Sequence, residues 1–174
     1  MTVKINIKNK VLYNYLAYLF DRNPDGSFRV TMKNEFGRLV VALVRRSPDE
    51  VPLEEGQFTA NLLLPKNTLT KNAELSYLYF TGQDAARLNV LLDTIFTLDL
   101  NSYYQKGCKK RIQKREIIEA FVVSRKLVDD DFAETLGKRV YREELKTCRE
   151  LVSSLYDKAR YNNDRIEGPE QPPR

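Results

Sequence analysis

Histidine and tryptophan are absent from this 174-residue chain, and cysteine occurs only twice. Without histidine there is no imidazole acid or base, no Ser–His or Cys–His nucleophile and no histidine metal ligand. Cys108 and Cys148 are too far apart in the chain to form a metal-ligand pair. Both fall at helical positions and read as small packing residues in a reducing compartment. The seven glycines are scattered, and no Gly-Lys-Ser/Thr sequence supplies a phosphate-cradling loop. No apolar run approaches the ~18 residues needed to span a bilayer. The N-terminus, MTVKINIKNK, carries no signal-peptide apolar region. A cytoplasmic protein is expected, with no membrane and no cofactor. The run Asp129–Asp131 has no partner carboxylate at a fixed spacing and reads as a helix cap rather than a metal site. Glu144-x-Lys146 lacks the preceding Pro-Asp pair that would make it a nuclease signature. No catalytic residue is assigned, and the chain reads as a non-enzyme.

What the chain does have is a 42% hydrophobic content, enough for a real core, and a net charge of +5. Val3, Ile5 and Ile7 alternate with polar residues, which predicts a half-buried strand. Val11, Leu12, Tyr15, Leu16, Leu19 and Phe20 recur at helical spacing. Asn23–Ser27, NPDGS, stops that helix with turn chemistry. Phe28, Val30 and Met32 predict a second strand. Asn34 then caps a helix bearing Phe36, Leu39, Val40, Leu43 and Val44. After a loop with Pro48, Pro52 and Gly56, strands are expected at Phe58–Leu64 and Leu75–Phe80, with a turn between them around residues 66–72.

The texture changes after Gly82. Leu88, Leu91, Leu92, Ile95, Phe96, Leu100, Tyr103 and Tyr104 mark one long helix. Ile117, Ile118, Phe121 and Val122 mark a second, over residues 114–127, and a third follows the aspartates. The fold class expected is α+β: a small four-stranded sheet with two helices, in the order β-α-β-α-β-β, followed by a helical C-terminal region. The organisation expected is an α+β subdomain over 1–82, a helical subdomain over 83–161 and a disordered, Pro-rich tail over 162–174.

Charge is concentrated in Lys106–Arg115, KGCKKRIQKR, which holds Lys106, Lys109, Lys110, Arg111, Lys114 and Arg115 and no acid. Residues 84–105 and 116–174 each carry a net negative charge, so this decapeptide dominates the field. A like-charge block between two apolar helical patterns belongs to the folded body and faces something anionic, nucleic acid first. The helix dipole accounts for cations at the end of one helix but not for Lys114 and Arg115 at the start of the next.

Asp131–Leu145, DFAETLGKRVYREEL, resembles part of a helix-turn-helix. Ala133 and Gly137 have the spacing of the small residue and the left-handed turn glycine, and Leu136 and Val140 fill apolar positions. A third apolar position is occupied by Glu143. Beyond the turn come Lys138, Arg139, Arg142, Lys146 and Arg149. On one helix, Lys138, Arg142, Lys146 and Arg149 would span about 80° of arc. The competing reading is one continuous helix with Gly137 inside it and a solvated charged face. Tyr141, Leu145, Cys148, Val152, Leu155 and Ala159 alternate spacings of four and three, a short coiled-coil-like seam suited to a homodimer. Tyr77 and Tyr79 share one strand face, where tyrosines either stack on bases or half-bury against a helix. The function expected is a DNA-binding or DNA-associated accessory protein. The alternative is an interaction and assembly module that dimerises through its C-terminal helix.

Overall fold

Burial alternates along Thr2–Asn6 (β1) and again along Thr59–Leu63 (β5), and the two strands pair antiparallel with Val3 opposite Leu62 and Ile5 opposite Ala60. This register puts all four of those residues on one buried face. The computed structural model describes residues 1–54, 56–66, 76–127 and 132–141. Along the chain, β1 is followed by α1 (Lys10–Leu19), β2 (Asp21–Arg22), β3 (Phe28–Arg29), α2 (Glu35–Leu43) and β4 (Arg45–Ser47). After β5 come β6 (Tyr77–Tyr79), α3 (Gly82–Lys109), α4 (Lys114–Ser124) and α5 (Phe132–Tyr141). The fold is mixed α+β.

A four-stranded sheet is present, in the order β1-β5-β3-β2, but its fourth strand is not the one the pattern predicts. Tyr77–Tyr79 leaves this sheet and pairs instead with Arg45–Ser47, in a separate antiparallel ribbon. The missing place is taken by Asp21–Arg22, returned onto Phe28–Arg29 by the Asn23–Ser27 turn. Gly26 sits there at φ +82°, as the turn requires. The second strand is shorter than its alternation implies. It ends at Arg29, and Met32 is exposed.

The helices follow the apolar spacing. Asn9, Asn34 and Thr81 cap α1, α2 and α3 by accepting the backbone N–H three residues on. α2 replaces the alternative of a buried strand at Leu39–Val44. α1 lies on the sheet, where the Tyr13 ring meets Phe28 edge-on at 5.4 Å. α3 packs on α1 and α2, and α4 packs on α3. Tyr15, Phe96 and Phe121 join those layers through edge-to-face contacts at 5.1 and 6.0 Å. Outside the sheet, the Asn89 amide on α3 donates to Asn6 O (2.9 Å), at the end of β1, and accepts from Lys8 N–H (2.8 Å) just past it.

Met1–Ala133 forms one compact unit and Glu134–Arg174 the other. No described helix is long and apolar enough to cross a membrane.

Candidate functional site

The basic decapeptide is folded into a corner between α3 and α4. The apolar stripe of α3 ends in Leu100, Tyr104 and Gly107, all buried. A Cβ at Gly107 would lie 2.5 Å from Ile117 Cγ1, so glycine is what lets α4 cross so close. α3 then stops in a Schellman arrangement. Ile112 N–H donates to Gly107 O and Arg111 N–H to Cys108 O, with Arg111 at φ +59°. That left-handed position favours glycine, and an arginine there costs roughly 1 kcal/mol. Three residues later α4 begins at Lys114, and its N-cap Gln113 makes no side-chain capping bond.

All six cations of the corner are exposed. Arg115 is tied to Glu119, one turn along α4, at 2.7 Å. That hydrogen bond and the glutamate's charge raise its pKa above the ordinary guanidinium value. Lys106 contributes to the positive field that holds the Asp99 carboxyl down. Lys109, Lys110 and Arg111 follow one another in sequence and have no carboxylate partner among the described residues. The α3 dipole favours Lys106 and Lys109, whereas Lys114 and Arg115 stand at the unfavourable end of α4.

The other end of α4 has the same backbone and different surroundings. Leu127 N–H donates to Val122 O and Lys126 N–H to Val123 O, with Lys126 at φ +56°. Here the neighbouring Arg125 is consumed by the fold. Its Nε and Nη2 donate to the two oxygens of Asp99 at 2.7 and 2.8 Å. Its guanidinium lies 4.5 Å from the centre of the Tyr18 ring and 5.3 Å from those of Tyr103 and Phe121. Tyr15 OH donates to the same carboxylate at 2.9 Å. Burial pushes the Asp99 pKa up, but the bonds from Arg125 and Tyr15 outweigh it and leave the group below its ordinary value. Burial and the Asp99 charge push the Tyr15 phenol far above its own. Sequence reading counts Asp99 only as charge. The ion pair joins positions 26 apart on two helices, and no local spacing signals it.

A second carboxylate absorbs another arginine. Asp84, 2% exposed, accepts from Thr81 Oγ1 at 2.6 Å and from Arg45 Nε at 3.0 Å. The Thr81 bond is the main reason its pKa lies below the ordinary range.

The remaining expected residues are not gathered at the corner. α5 runs unbroken through Gly137, which is not left-handed, so the turn of a helix-turn-helix does not form there. Nothing crowds Gly137, and the helical apolar positions Leu136 and Val140 are both buried. Lys138 pairs with Glu134 at 2.6 Å. Arg139 lies on α5, but its side chain is outside the described residues, as is that of Tyr141. Arg142, Lys146, Arg149, Leu145, Cys148, Val152, Leu155 and Ala159 also lie outside them, as do Asp129–Asp131 and the tail. Tyr77 is exposed and Tyr79 half-buried, and both line a groove of about 590 Å³ with Met1, Val51 and Leu53. No protein-family model, characterised protein or solved structure matches the chain.

Proposed function

We propose that the α3–α4 corner binds the phosphates of nucleic acid, and that the protein is a non-enzymatic DNA-associated accessory protein of the cytoplasm. The observation that carries this reading is the run Lys109–Lys110–Arg111, exposed and without carboxylate partners in a chain that pairs Arg38, Arg45, Arg115 and Arg125. Three adjacent cations repel one another, and a polyanion relieves that repulsion while releasing its own counterions. The corner is pre-shaped by the Gly107–Ile117 crossing, so little chain entropy is lost on binding. Lys138, Arg139, Arg142, Lys146 and Arg149 extend the same reading as further phosphate contacts, and a dimer through the Tyr141–Leu155 seam would double the contacts per complex.

The test is fluorescence anisotropy with short duplex and single-stranded DNA at two salt concentrations. Binding is expected to weaken steeply with salt, and neutralising Lys109, Lys110 and Arg111 together is expected to remove most of it. Retention by the triple variant equal to that of the unaltered protein at low salt would sink the proposal.

A further inference from the structure

Ile112 stands at the tip of the cationic corner and is 43% exposed. In a Schellman ending, the residue after the left-handed position ordinarily rests its apolar side chain on the residue five before it. At the end of α4 that residue is Leu127, opposite Val122, and Leu127 is 0% exposed. At the end of α3 the residue five before is Gly107, which offers no side chain, and the space above it is filled by Ile117 from α4. The crossing that builds the corner therefore takes away Ile112's usual partner and leaves its side chain partly exposed. Its neighbours Lys109, Lys110, Arg111, Gln113 and Lys114 are all polar and exposed.

We infer that Ile112 is a wedge for duplex DNA: the flanking cations seat the corner on phosphates, and the isoleucine presses between two base pairs and bends the helix. This rests on the nucleic-acid reading above and adds the strandedness and the mode of contact. Charge complementarity selects a polyanion. The single apolar tip selects its form, since a base step admits one aliphatic side chain, whereas lasting attachment to a bilayer draws on a whole apolar helix face or a second anchor. Proteins that insert such side chains kink duplexes by about 20–90°, a change large enough to read from end-to-end distance.

The experiment uses the full chain and a random-sequence duplex of about 30 base pairs labelled at both ends, well below the persistence length so that it is straight when free. Anisotropy reports binding and energy transfer reports bending. The unaltered protein is expected to shorten the end-to-end distance at saturation. Ile112→Ala is expected to lose the shortening, to bind several-fold more weakly and to keep the same salt dependence, because the phosphate contacts remain. Ile112→Leu is expected to retain the bend. Being exposed, position 112 tolerates these changes without unfolding, and a circular dichroism melt checks that. Bending by Ile112→Ala equal to that of the unaltered protein overturns the wedge and leaves the phosphate reading standing. Absence of binding to any DNA at low salt overturns both. Ile112-dependent binding to vesicles containing phosphatidylserine, with no bending of DNA, overturns the wedge and assigns the corner to a lipid surface.

Discussion

The two ends of α4 carry the same device in opposite service. Each is flanked by a Schellman ending whose left-handed position holds a cation, Arg111 on one side and Lys126 on the other. Each has a further basic residue beside it, Lys110 and Arg125. At the Arg125 end, folding uses the charge: Asp99 neutralises it, three aromatic rings cover it and Leu127 is buried. At the Arg111 end, no carboxylate answers Lys109, Lys110 or Arg111 among the described residues, and Ile112 is partly exposed where Leu127 is buried. Intramolecular contacts explain the first arginine completely. They leave the second beside two further cations, with no carboxylate partner among the described residues.

The comparison can be broken most forcefully at Arg125. Arg125→Met leaves the Asp99 carboxylate half-buried without its main partner, and stability is expected to fall by about 2–4 kcal/mol in urea denaturation. Nucleic-acid affinity is expected to change little. The same pair gives the acid behaviour its sign. Asp99 and Asp84 have lowered pKa values in the folded chain. Their contribution is therefore present above the unfolded carboxylate value of about 3.9 and is lost as pH falls through the folded values. Unfolding free energies measured between pH 7 and 3 should decline on the acid side, and less steeply in Asp99→Asn.

At the other end, the triple change of Lys109, Lys110 and Arg111 to alanine is expected to reverse the pattern. Stability should stay within about 0.5 kcal/mol. DNA affinity should drop by at least about tenfold, with the logarithmic salt slope shallower by about 2–3. A weaker test acts on the corner's construction. Gly107→Ala drives a methyl into Ile117, and a loss of about 1–3 kcal/mol is expected in a thermal melt. The smallest effect sharpens the comparison most. Arg111→Gly and Lys126→Gly each relieve a left-handed side chain, so each should raise stability by about 0.5–1 kcal/mol. Only Arg111→Gly should weaken binding to DNA. Equal loss of affinity in both would erase the distinction between the two ends.

The helices and the cationic segment were legible in the sequence because each depends on neighbours along one chain segment. Leu88, Leu92, Phe96 and Leu100 recur on one face of α3, and KGCKKRIQKR is contiguous. The strands were less legible. Arg45–Ser47 is polar and largely exposed, without alternation, and exists as a strand only because Tyr77–Tyr79 lies beside it. Asp21–Arg22 is likewise made by the turn that follows it. The contrast between the two arginines was invisible for the same reason. Nothing local distinguishes Arg111 from Arg125; a carboxylate on another helix does.

Asn89 has a consequence for the fate of the chain in a crowded solution. Its amide occupies Asn6 O at the end of β1 and Lys8 N–H just past it, bonding them as a neighbouring strand would. An open strand edge recruits the strands of other molecules into a growing sheet. One side chain, reaching down from α3, thus stands guard against polymerisation, and a leucine in its place would leave that stretch of edge available as a seed for aggregates.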